Sequence, residues 1–109
     1  MNLRLALAQW RIGEPHRFED YANRIIAALD HAGRAGAALA VLPEYAALEL
    51  AAIFPRGVRD DFVRSLDALQ ALHEPWLTLF AAEARRRAQY VLAGSFLLRT
   101  ATGRYRNRA

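Results

Sequence analysis

The sequence has no cysteine and no lysine. Without cysteine there can be no disulfide, no thiolate metal site and no cysteine nucleophile within these residues. All of the positive charge is arginine, which together with the abundant alanine most simply reflects the base composition of the gene. Histidine is scarce. His16, His31 and His73 are scattered and show no ligand spacing such as H-E-x-x-H, so no metal and no cofactor are expected. They read as surface or helix-end residues. Long apolar runs are also missing, and none approaches the roughly 20 residues of a membrane-spanning helix. Met1-Asn2-Leu3-Arg4-Leu5 lacks the basic start and long apolar stretch of a signal peptide, so a cytoplasmic protein without membrane contact is expected. There is no G-x-S-x-G elbow and no phosphate-binding glycine loop. Gly94-Ser95 follows a strand pattern, but spacing singles out no histidine to activate the serine.

What is present describes a globular chain. It has 109 residues, enough for one domain, of which 54% are hydrophobic and 24% charged. The net charge is +4. Four arginines follow an acidic residue by four positions: Asp20 with Arg24, Asp30 with Arg34, Asp60 with Arg64, Glu83 with Arg87. Such pairs describe solvated helix faces. Arg85-Arg86-Arg87 suits the negative end of a helix dipole. No aromatic residues interleave with a basic stripe, so nucleic acid is not an expected partner.

Hydrophobic spacing gives the order of elements. Leu3 to Trp10 alternates with both sides mostly apolar, which predicts a strand buried on two faces. Phe18, Tyr21, Ile25, Ala28, Leu29 and Ala32 recur at helical spacing, with Glu19 and Asp20 in the first turn and Gly33 and Gly36 at the end. Ala38 to Leu42 is a second buried strand. Strand, helix, strand with short connections implies parallel pairing through a right-handed crossover. Pro43 stops the strand, and Glu44 to Phe54 is expected to be partly helical. Val58, Phe62, Leu66, Leu69 and Leu72 predict one amphipathic helix. Pro75 starts another, marked by Trp76, Phe80, Ala84 and Ala88. Tyr90 to Leu98 reads as one continuous strand, followed by a turn at Thr100–Gly103 and a hairpin strand over Tyr105–Ala109. The whole is one α/β unit, and a strand just starting at Ala109 suggests a truncated domain.

Glu44, in Leu42-Pro43-Glu44-Tyr45, is the residue most suited to chemistry. A carboxylate directly after a buried parallel strand lies at that strand's C-terminal end, where open α/β sheets place their ligand crevices. Partial desolvation there would favour a general base near neutral pH. The alternative is a helix-start carboxylate on the segment that follows. Glu49, five residues on, does not share a helical face well with Glu44 and is either pocket-lining or else solvated or ion-paired.

Taken together, these segments resemble the nitrilase superfamily, the carbon–nitrogen hydrolases. Leu5-Ala6-Leu7-Ala8-Gln9 is similar to the family's first strand. Gly36 to Glu44 resembles the approach to the family's catalytic glutamate. Ala93-Gly94-Ser95 matches the Gly-Ser that ends the next core strand. Gly103-Arg104-Tyr105-Arg106-Asn107-Arg108-Ala109 resembles the segment carrying a near-invariant asparagine upstream of the catalytic lysine. Pro43-Glu44-Tyr45-Ala46-Ala47-Leu48-Glu49-Leu50 looks most like a bacterial amidase-like subgroup.

The resemblance implies an α-β-β-α sandwich, of which residues 1–109 would be the N-terminal part. It implies hydrolysis of a non-peptide C–N bond, in an amide or nitrile, by glutamate, lysine and cysteine, in a protein that forms homo-oligomers. Glu44 takes the glutamate position. No residue here can take the other two, so this chain alone is expected to be inactive, with Lys and Cys beyond Ala109. The alternative is a short non-enzymatic protein that self-associates or binds a partner through an exposed sheet.

Overall fold

A computed structural model describes residues 2–109. Strand β1 spans Leu5–Leu7, helix α1 Phe18–Arg34 and strand β2 Leu39–Val41. A 3-10 helix follows over Ala46–Ile53, then α2 (Arg56–Arg59), α3 (Phe62–Leu69), a 3-10 turn at Gln70–Leu72 and α4 (His73–Arg87). Strands β3 (Tyr90–Leu92), β4 (Phe96–Arg99) and β5 (Tyr105–Arg108) complete the chain. It is a mixed α/β fold with two small sheets: β1-β2-β3, all parallel, and the antiparallel hairpin β4-β5. No helix among the described residues is long and apolar enough to cross a membrane.

The β1-α1-β2 crossover forms as its pattern predicts. The Asp20 carboxylate accepts the backbone N–H groups of His16 (3.0 Å) and Arg17 (2.9 Å), tying down the first turn of α1. Gly36 takes a left-handed φ of 77°, which turns the chain from α1 into β2. Tyr21, Ile25, Leu29 and Ala32 form the buried stripe of α1. With Trp76 and Phe80 of α4 they join the core that covers Ala6, Ala40 and Val91, the central residues of the three strands. Trp76 Nε1 donates to the Tyr21 hydroxyl at 3.1 Å, so these two buried polar groups satisfy each other. Burial drives the Tyr21 hydroxyl well above the usual tyrosine range despite that bond.

The other sheet face is open. In register, Leu5, Leu39 and Tyr90 form one row across the strands, and Leu7, Val41 and Leu92 the next. Leu5 is 53% exposed, Leu7 72%, Tyr90 80% and Leu92 49%. The expected burial of β1 on two faces is therefore corrected: helices cover one face, and nothing among the described residues covers the other.

Three further expectations change. The single helix through Val58 and Phe62 is two, because Asp61 caps α3 by accepting the N–H of Arg64 at 3.0 Å, and Phe62 lies exposed. The continuous strand Tyr90–Leu98 breaks at Gly94, whose φ of 84° sends β4 into the second sheet. The final helix begins at His73, before Pro75, and Ala88 is its left-handed cap rather than a buried face residue. Of the four acid–arginine pairs only Glu83–Arg87 forms, at 3.2 Å. Arg24 instead reaches Glu49, Asp30 pairs with Arg87, and Asp60 approaches Arg56 at 3.8 Å. For Arg24 and Asp30 the partner is tertiary, whereas Asp60 keeps a local, exposed partner one turn earlier.

Candidate functional site

β1, β2 and β3 run in the same direction, so their C-terminal ends share one rim of the sheet. Glu44 stands on that rim, two residues beyond Leu42, whose N–H still bonds to the Leu92 carbonyl at 2.9 Å. Pro43 donates nothing and ends the ladder. Asn107 of β5 donates from its side-chain amide to Glu44 Oε1. A cleft of about 300 Å³ surrounds the carboxylate, lined also by Leu42, Leu92, Gly94, Ser95 and Ala109.

The turn carrying Glu44 is held from several sides. Tyr45 adopts φ 63°, a left-handed conformation costly for an aromatic residue. Its N–H donates at 2.8 Å to the hydroxyl of Ser95, a buried residue at the start of the second sheet. The Pro43 carbonyl packs so closely on Gly94 that a Cβ there would collide with it. Gly94 is thus required both by its positive φ and by this close approach. Strain of this kind persists only where the surroundings over-determine it, and it concentrates at working sites.

The expected desolvation of Glu44 is corrected, since the residue is exposed. The apolar sheet face beside it is open, so water reaches the carboxylate. Glu44 also does not begin a helix directly, because the 3-10 helix starts at Ala46, after the left-handed Tyr45.

Glu49 is the more buried carboxylate, at 5% exposed. It accepts from Trp10 Nε1, from the Gly13 N–H at 3.1 Å and from the Arg24 guanidinium. Arg24 also lies over the Trp10 ring, 4.2 Å from its centroid, and donates to the Arg11 carbonyl. Of the two readings left open for Glu49, the ion-paired one describes it, in a buried rather than solvated form. The carboxylate joins the 3-10 helix, the β1–α1 loop and α1, and so anchors the segment that begins at Glu44. The sequence did not single out Trp10, Gly13 or Arg24 for this role. Arg24 had a local acidic neighbour in Asp20, and no short-range pattern reports a partner 25 positions away.

A larger concavity, about 570 Å³, lies elsewhere, between β1 and α1. It contains no carboxylate, so the smaller Glu44 cleft is the better candidate for chemistry. Gln9 lines the larger groove and not the Glu44 cleft. Among the described residues, no group of three His, Asp or Glu side chains gathers in a way that could hold a metal. No family model, curated protein or solved structure matches the chain.

Proposed function

We propose that this chain carries the general-base segment of a carbon–nitrogen hydrolase of the nitrilase type. Glu44 is its catalytic carboxylate, and the substrate is a small amide or nitrile. The observation that carries the reading is the convergence of separate segments on one point. Glu44 follows β2, Gly94 and Ser95 join β3 to β4, and Asn107 lies on β5, yet all line one cleft. These are the segments whose residues resemble the family.

In that chemistry a thiolate attacks the substrate carbon, the glutamate takes and returns a proton, and a lysine stabilises the developing negative charge. Glu44 suits the proton-handling role because it sits at the strand ends, within reach of a small ligand. The Asn107 amide holds one carboxylate oxygen and leaves the other free to accept a proton. Lysine and cysteine are absent from the sequence, so the chain on its own supplies neither nucleophile nor charge stabiliser. The α-β-β-α sandwich belongs to the same proposal: the open face of the three-stranded sheet is where a second sheet would pack.

The test is to read the coding DNA beyond the Ala109 codon. The proposal expects a region encoding lysine and cysteine, in frame or displaced by a frameshift. A stop codon followed by no such region in any frame would refute it.

A further inference from the structure

We propose that two copies of this chain pair edge to edge through β1, antiparallel about a twofold axis, with their α1 helices side by side over the joined strands. Glu44 does not line the groove at this edge and takes no part in the pairing.

Among the described residues β1 is an edge strand. Arg4 accepts the Ala38 N–H at 2.9 Å and Ala8 donates to Val41 at 2.9 Å, so the even residues of β1 face β2. The N–H and C=O groups of Leu5, Leu7 and Gln9 therefore point outward, as a free template for another strand. The groove of about 570 Å³ runs along this edge, roofed by α1 through Ala27, Ala28 and His31.

A second copy fits this groove for two reasons. The first is spacing. α1 packs on Ala6 and Ala40, over β1 and β2. With strands about 4.8 Å apart, a twofold axis between two β1 edges places each helix about 5 Å from the axis. The helices then lie about 10 Å apart, within the usual packing distance, and they meet on the small side chain of Ala27. The second is charge. Glu19, Asn23, Ala27 and His31 recur every four residues along the exposed side of α1, and exposed Arg34 follows in the last turn. Ala27 and His31 line the groove, so this stripe borders the free edge. Antiparallel helices crossing at Ala27 bring Glu19 of each opposite the last turn of the other, which carries Arg34. The stripe is thus complementary to itself, as a twofold interface requires.

The experiment is sedimentation equilibrium of the whole chain from low micromolar to near-millimolar concentration. A mass twice the 12.2 kDa of one chain is expected. Leu7→Pro removes an outward donor without removing a β1–β2 bond, and should give a monomer. Ala27→Arg sets two cations against each other at the axis, on an exposed helical position that folding does not depend on, and should also give a monomer. Glu19→Arg and Arg34→Glu should each weaken association about tenfold, and the double variant should restore it. A monomer at all concentrations would overturn the proposal. So would association indifferent to Ala27→Arg, or single reversals that the double variant fails to rescue.

Discussion

Asn107 donates a hydrogen bond to Glu44 across 63 positions of sequence. That bond ties the hairpin β4-β5 to the end of the parallel sheet, and it fixes one oxygen of the carboxylate assigned the catalytic role. Because both residues are exposed, the bond contributes little to global stability. Asn107→Ala should cost under about 1 kcal/mol by chemical denaturation. Amide exchange in β5 should nevertheless quicken several-fold, measured by hydrogen–deuterium exchange. Unchanged exchange would mean that the tie does not hold the hairpin.

The Tyr45 and Gly94 backbones should respond in opposite directions. Tyr45→Asn places a residue that tolerates positive φ where an aromatic one is strained, and should raise stability by about 0.5–1 kcal/mol. Gly94→Ala introduces a Cβ against the Pro43 carbonyl at positive φ, and should cost about 2 kcal/mol or more. Thermal melts of the two variants check both signs.

Glu49→Ala should be among the most damaging single changes at a polar position. It leaves the Arg24 guanidinium without its carboxylate, and Trp10 Nε1 and the Gly13 N–H without their acceptor. The expected loss is about 3 kcal/mol, tempered by the partial exposure of Arg24. Urea denaturation followed by tryptophan fluorescence measures it.

Acid should weaken the fold through three carboxylates held below the ordinary range. The Arg87 guanidinium holds Asp30 down, the Arg86 guanidinium, with Arg87, holds Glu83 down, and the backbone N–H groups of Arg17 and His16 hold Asp20 down. Each depressed group binds its proton less readily when folded than when unfolded. The stability it contributes is complete above the ordinary carboxylate range and is lost as pH falls through its folded value. Melting temperature should therefore fall as pH drops below about 4. Glu83→Gln and Arg87→Met should flatten that decline.

Much of the fold was legible in the sequence because local signals agreed. The α1 stripe of Tyr21, Ile25 and Leu29, the short connections on either side of it, and the break at Pro43 all indicate a parallel crossover, and the structure has it. Where local and tertiary signals conflict, the sequence misleads. Leu5 and Leu7 look buried on composition alone, but whether a face is covered depends on what lies over it. Tyr90 to Leu98 looks like one strand because both halves are apolar, and only the approach of Pro43 to Gly94 reveals the change of sheet. At the candidate site, Glu44 was legible from its place after β2. Ser95 and Asn107 stood out only through a family resemblance. An ion-paired Glu49 was among the readings the sequence offered, but its partners Arg24 and Trp10 were not, since they lie on separate segments.

The role proposed for Glu44 is that of general base in a C–N hydrolase. Its most direct test is amide turnover by the polypeptide that joins this chain to the lysine- and cysteine-encoding region sought downstream, compared with the same polypeptide bearing Glu44→Gln. The joined polypeptide is expected to hydrolyse a simple amide, residues 1–109 alone are not, and Glu44→Gln is expected to lower the rate by about 10²–10⁴-fold. Equal rates with Gln at position 44, or turnover by the 109-residue chain alone, would contradict that role.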